Sequence, residues 1–261
     1  MVTIREVLEA EGVGAVYDKS LLWGASAEAY TAEIADVQKA GQWPVLVELD
    51  MASTPDLLKR SIHAADLLSG AARLESNSVI VVDHHGARAA DVPTALEQVL
   101  DLLGARQRHW TWWHQLVAAN DRGHVLEMLN LGATDVELRA VRKADRTAQG
   151  ITVEQELQGA HALSMSISPC EALTVVSLPH DHSATVTDRI EPSMGGPGYN
   201  VLLVQTPIAA HVFGDGATVL ALAEAFPDGW YGGALPARGF WGRSGPSDDI
   251  GQFLRARLCG G

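Results

Sequence analysis

The sequence predicts an α/β protein in two parts: an N-terminal, mostly parallel sheet flanked by helices over residues 1–158, and a smaller C-terminal α+β domain over 159–261. Three observations carry that expectation. Short apolar runs alternate with longer helical patterns through the first half. The central run, "VIVV" at 79–82, is β-branched and apolar on both faces, as the middle of a helix-covered parallel sheet requires. Beyond residue 160 the text turns to short strand-like segments, one helical pattern and a glycine-rich tail.

Taken in order, "GAVYDKSLLW" reads as a short strand ending near Asp18, and "VLVELD" at 45–50 as a strand ending in acids. "TPDLLKRSIHAADLLSGAARL" at 54–74 reads as one helix, opened by Thr54 as cap and Pro55 in the first turn. "VIVVDHHG" at 79–86 is the next strand, and "DVPTALEQVLDLLGA" at 91–105 the next helix. "WTWWHQLVAANDRGHVLEMLNLG" and "TDVELRAVRKADRTAQG" are helical patterns that end at glycine and close the first domain. In the second domain "LTVVSLPHDHSATVTDRI" and "NVLLVQTP" read as strands, "GATVLALAEAF" as the helix, and "PDGWYGGALPARGFWGRSG" as a glycine-rich tail.

Composition narrows function. At 261 residues and 47% hydrophobic the chain can bury a sizeable core. A formal charge of −13 repels a long phosphate backbone, so a long nucleic acid is disfavoured as partner, whereas divalent cations can still recruit a small phosphorylated ligand. Cys170 and Cys259 are far apart and in no metal-ligand spacing, so neither a disulfide framework nor a cysteine zinc site is expected, and a reducing compartment fits. With acids in the N-terminal stretch and no run of 18 apolar residues, the reading is cytoplasmic, with no membrane.

The chemistry concentrates at two strand ends. In an open parallel sheet, ligands bind beyond the carboxyl ends of the strands. "VLVELD" delivers Asp50, with Glu48 on the same strand face, and "VIVVDHH" delivers Asp83, His84 and His85. Three successive polar groups at a sheet edge are costly unless they bind something. Mixed carboxylate and imidazole donors suit manganese, iron or zinc.

"VIVVDHHG" resembles the signature of the DHH phosphoesterase superfamily, whose members hydrolyse phosphoester or phosphoanhydride bonds with divalent metals, commonly manganese. The order around it is similar: a strand ends in Asp50, 33 residues upstream of Asp83, and Asp121 in "LVAANDRG" follows 38 residues downstream. The resemblance implies that Asp50, His84 and Asp121 ligate one or two metal ions, and that Asp83 and His85 orient ligands or contact the substrate phosphate. "YGGALPARGFWG" is similar to the glycine-rich loop of a companion, DHHA1-like substrate-binding domain, which implies phosphate contacts from Gly232, Gly233 and Arg238. Two departures stand beside it. The residue after the paired glycines is Ala234 instead of histidine, and Asp18 is a single carboxylate where the family has a paired acid motif. Asp18 is the candidate first-motif metal ligand.

Other motifs read as structure. His180 and His182 in "PHDHS" fit an exposed strand end; Arg139, Arg142, Lys143 and Arg146 fit a helix face paired with acids; "HWTWWH" fits helix packing. "GDGATVLALA" lacks the lysine and hydroxyl of a P-loop, and neither G-x-G-x-x-G nor G-x-S-x-G occurs where a dinucleotide fold or a serine hydrolase would need it. The expected function is a metal-dependent phosphohydrolase acting on a small phosphorylated compound, nucleotide or short oligonucleotide. The alternatives are a DHH-like protein that binds nucleotide or metal without turnover, and a homo-oligomer subunit joined through the tryptophan-rich helix.

Overall fold

The computed structural model describes residues 1–261 except 20, 22–24, 86–87, 89–90 and 261, so Gly86, which closes the "VIVVDHHG" signature, lies outside the described residues. The chain is α/β and divides into two compact units, Met1–Ala118 and Ala119–Gly261. That division falls within a helix, ahead of the expected 158/159 boundary.

The first unit holds α1 (Val2–Ala10), α2 (Thr31–Lys39), β1 (Val45–Val47), α3 (Pro55–Leu58), β2 (Ser61–His63), α4 (Ala64–Leu68), β3 (Val79–Val82), α5 (Ala95–Leu102) and α6 (Arg106–His109). Its sheet has the order β1-β3-β2, with both pairings parallel. β3 is central and buried, as its run of β-branched residues requires. On one side Ile80 and Val82 pack with Ile4 and Val7 of α1 and with Leu96, Val99 and Leu100 of α5; on the other Val79 joins Ile34, Leu46 and Met51. A capping box, in which Thr94 and Glu97 exchange hydrogen bonds, sets the start of α5.

Two expectations fail here. The helix expected over 54–74 is interrupted by β2: Ser61, Ile62 and His63 pair with Val79, Ile80 and Val81, so backbone bonds to the central strand outweigh a continuous helical pattern. Among the described residues, the strand expected in "GAVYDK" does not form, and Val13, Val16 and Tyr17 are exposed.

α7 (Trp112–Leu131) spans the division and breaks at Gly123 and His124, whose φ of 57° is outside the helical region. The second unit continues with α8 (Asp135–Ala148), α9 (Val153–Ser164), β4 (Ile167–Cys170), β5 (Leu173–Ser177), α10 (Ala184–Ile190), β6 (Val201–Gln205), β7 (Ala209–Asp215), α11 (Gly216–Ala225), β8 (Trp230–Gly232), β9 (Arg238–Ser244) and α12 (Asp248–Cys259). The sheet order is β4-β5-β6-β7-β9-β8, antiparallel except for the β5–β6 pair. Val201 and Leu203 face α11 and α12, while Leu202 and Val204 face α9 and α10, the two-sided burial of a helix-covered sheet.

Three readings of this half are corrected. "ATVTDRI" is the helix α10, not a strand: Ala184 to Asp188 and Ile190 are all buried, so burial on every side replaces the one-face alternation of a strand. The glycine-rich tail forms the β8–β9 hairpin. Cys170 and Cys259 are joined in a disulfide, because α12 packs back on the sheet and brings their Cα atoms within 5.7 Å. Sequence separation hid the pairing, and the reducing-compartment argument built on unpaired cysteines falls with it. No helix is long and apolar enough to cross a membrane among the described residues.

Candidate metal centre

Parallel pairing of β1 with β3 puts Val47 opposite Val82, so both strands end at the same edge. The Glu48 amide continues the ladder, donating to the Val82 carbonyl at 2.9 Å, and then Glu48 turns the chain with a left-handed φ of 53°. A non-glycine residue in that region carries strain and persists where surrounding structure holds it. At this edge Glu48, His84 and His85 come together, with one ligand atom of each within 4.8 Å of the others. His84 is almost fully buried, and its Nδ1 lies 3.3 Å from Glu48 Oε1. The two imidazole rings are 4.3 Å apart between centroids.

Asp83 holds His85. Its Oδ1 accepts from the His85 amide at 2.9 Å and lies 2.7 Å from His85 Nδ1. With the proton of Nδ1 shared toward that carboxylate, the ring's lone pair is on Nε2, the tautomer used by carboxylate-oriented histidine ligands. Electrostatics favour the charged carboxylates. Burial opposes ionisation of Glu48, but the His84 hydrogen bond and the charges of both imidazoles outweigh it and hold Glu48 below the ordinary carboxylate range. Asp83 is held low in the same way, with burial overcome by the His85 hydrogen bond. Burial would lower His85, yet Asp83 and Glu48 together raise it.

The donor set fits a divalent ion. Two ligand atoms each about 2.1 Å from one ion are at most about 4.2 Å apart, so donors already within 4.8 Å need only small side-chain adjustments. One carboxylate and two imidazoles suit zinc, iron or manganese.

The remaining predicted residues are placed as follows. Asp50 is not a member of the converging group. After the left-handed turn at Glu48 the chain leaves the sheet, Asp50 pairs by its backbone with the segment at Ser26, and its Oδ1 accepts from the Ala52 amide at 3.0 Å. Asp18 lies on irregular backbone, 4.0 Å from Arg5 across an exposed ion pair. Asp121 is on α7, two residues before its break, in the second unit. Gly232 ends β8, and Gly233 has a φ of 104°; a Cβ there would come within 2.7 Å of the Gly239 Cα, so the hairpin itself demands glycine. Arg238 stacks its guanidinium over the Tyr199 ring at 4.4 Å.

Of the motifs read as structural, the basic run behaves accordingly. Arg142 is buried and donates to Asp188 at 2.8 Å and to Asn120 at 3.0 Å, and Arg146 pairs with Asp188 and Glu156. "PHDHS" is not the exposed strand end expected of it: it bends between β5 and α10, His180 is buried, and its Nδ1 accepts from the His182 amide. The start of α11 is capped by its own Asp215, which accepts from Thr218 at 2.9 Å, so those amides form no anion cradle. Sequence reasoning missed Gln98, buried on α5, whose Nε2 donates to the Asp83 carbonyl at 3.0 Å. A glutamine inside the apolar stripe of "TALEQVLDLL" was its signal.

No family model matches the chain, and no curated protein matches it. Among solved structures it is similar to the pGpG-specific phosphodiesterase PggH from Vibrio cholerae, at 12% identity and a TM-score of 0.32, over 84% of this chain and 98% of that one. Similarity at that level assigns neither fold nor activity, and the functional reading rests on the side chains.

Proposed function

We propose that this protein is a divalent-metal-dependent phosphohydrolase acting on a small phosphorylated compound, nucleotide or short oligonucleotide. The observation that carries the reading is the convergence of Glu48, His84 and His85 at the carboxyl ends of two parallel strands. The DHH-like signature supports it by assigning metal to the same stretch. A divalent ion bound there supplies Lewis acidity toward a phosphoryl oxygen and toward water. The chain's part is to hold it: Glu48 by its carboxylate, His84 and His85 by imidazole, with Asp83 keeping the His85 proton on Nδ1. Manganese as the ion, Asp18, Asp50 and Asp121 as further ligands, and Gly232, Gly233 and Arg238 as phosphate contacts belong to the same proposal.

A second reading, binding without turnover, is favoured by one feature: the N-terminal acid motif is reduced to Asp18 on irregular backbone. One experiment separates the two. Titrate the full chain with MnCl2 in a calorimeter, then assay release of phosphate or nucleoside monophosphate from phosphomonoesters and short oligonucleotides. The hydrolase reading expects manganese uptake, manganese-stimulated release, and loss of both in a folded His84→Ala variant. Tight nucleotide or metal binding without release supports the second reading, and the absence of any divalent uptake defeats the first.

A further inference from the structure

Gln98 is a fully buried polar residue on the face of α5 that packs on the sheet, among Ala95, Leu96, Val99 and Leu100. Its Nε2 donates twice, to the Asp83 carbonyl at 3.0 Å and to the Pro93 carbonyl at 2.7 Å. Its Oε1 is equally buried and accepts no hydrogen bond among the described residues. The amide orientation is therefore dictated by its two acceptors, since the flipped amide would set oxygen against two carbonyl oxygens. A buried acceptor without a donor costs stability, a cost set against the two carbonyls that this amide satisfies. The side chain is there for what its donors hold.

They hold the end of β3. Asp83 is the first residue past Val82, where the chain leaves the sheet to deliver His84 and His85, and its carboxylate already binds the amide and ring of His85. Asp83 is thus fixed through both its side chain and its carbonyl, and Gln98 ties that carbonyl to Pro93 at the entry of α5.

We propose that Gln98 is a positioning residue of the metal group, holding the Asp83 peptide so that the two histidines stay aimed at Glu48. The inference rests on the metal reading above and concerns affinity, not chemistry. Loss of an outer partner of a metal ligand costs ten- to a hundredfold in affinity.

The test compares full-length wild type with Gln98→Met, which keeps volume and removes both donors, and Gln98→Asn, which keeps an amide too short to reach both carbonyls. Manganese affinity is measured by calorimetry, and thermal midpoints are recorded without added metal. The expected result is a rise in the manganese Kd of about ten- to a hundredfold for Gln98→Met and a smaller rise for Gln98→Asn, whereas Val99→Ala, a core truncation on the same helix that spares both carbonyls, lowers the metal-free midpoint without changing the Kd. Unchanged affinity in Gln98→Met overturns the inference, and so does an equal rise in Kd for Val99→Ala, which marks a plain core effect. If wild type takes up no manganese, the metal reading itself has failed, a result distinct from either.

Discussion

Glu48 supplies the carboxylate of the converging group, and its place depends on a backbone angle that strand alternation does not contain. Period-two logic puts Glu48 and Asp50 on one face of an extended strand. The left-handed φ at Glu48 ends that extension, keeps Glu48 beside His84 and carries Asp50 to a backbone pairing near Ser26. His84 and His85 were legible because three polar groups after "VIVV" have no bland use; the choice between Glu48 and Asp50 was not, because a single dihedral decides it. The two carboxylates can be separated by experiment. Glu48→Gln removes a ligand charge while keeping shape, and it is expected to raise the manganese Kd at least about tenfold. Asp50→Asn keeps an oxygen able to accept from the Ala52 amide and, because Asp50 lies outside the converging group, is expected to raise the manganese Kd less than Glu48→Gln does. Equal losses in calorimetry would rank Asp50 with Glu48 as a ligand.

Elements were legible where periodicity was long and hidden where burial was complete or contacts were distant. α8 announces itself through Thr134, Glu137 and an amphipathic pattern, and its capping box forms. β2 is only Ser61–His63, too short for any period, and exists because β3 needs a second parallel neighbour. The disulfide is the clearest case of a distant contact, since Cys170 ends the edge strand β4, Cys259 ends α12, and 89 positions separate them. Ile250 and Leu254 seat α12 in the core beneath the sheet, and the disulfide ties the helix's last turn to the strand's end. Closing so long a loop constrains the unfolded chain by an entropic contribution of up to about 4.6 kcal/mol. Reduction, or the Cys170→Ser/Cys259→Ser double variant, is therefore expected to lower the thermal midpoint of the second unit's unfolding while leaving native far-ultraviolet circular dichroism intact. An unchanged midpoint with the disulfide shown reduced by mass spectrometry would mean that α12 is held by packing alone.

At the scale of the whole molecule, the α/β class and the parallel arrangement of β1 and β3 were readable from composition and alternation, whereas the protonation behaviour of the assembled chain is a property of burial. His211, on β7 against the Trp230 ring, shows this: burial drives its pKa down to about 4, against a weaker upward pull from Asp181. An unfolded chain protonates the same imidazole near pH 6.5. Between about pH 6.5 and 4 the unfolded state binds the extra proton, so folding stability falls as pH is lowered through that window and is regained as it rises. The contribution is at most about 3 kcal/mol, from the difference between the two pKa values. Paired carboxylates act lower on the scale: hydrogen bonds from Arg108 and His109 hold Glu11 at about 2, so the stabilisation from this exposed cluster is lost only in stronger acid. Denaturant titrations at pH 7.5 and 5 should therefore show a loss of stability on acidification in wild type. In His211→Gln, which keeps a polar group of similar reach but cannot titrate, that loss should shrink by the His211 share. If the variant shows the same drop between the two pH values as wild type, the acid sensitivity belongs to other groups, and His211 is protonated no differently in the folded and unfolded chain.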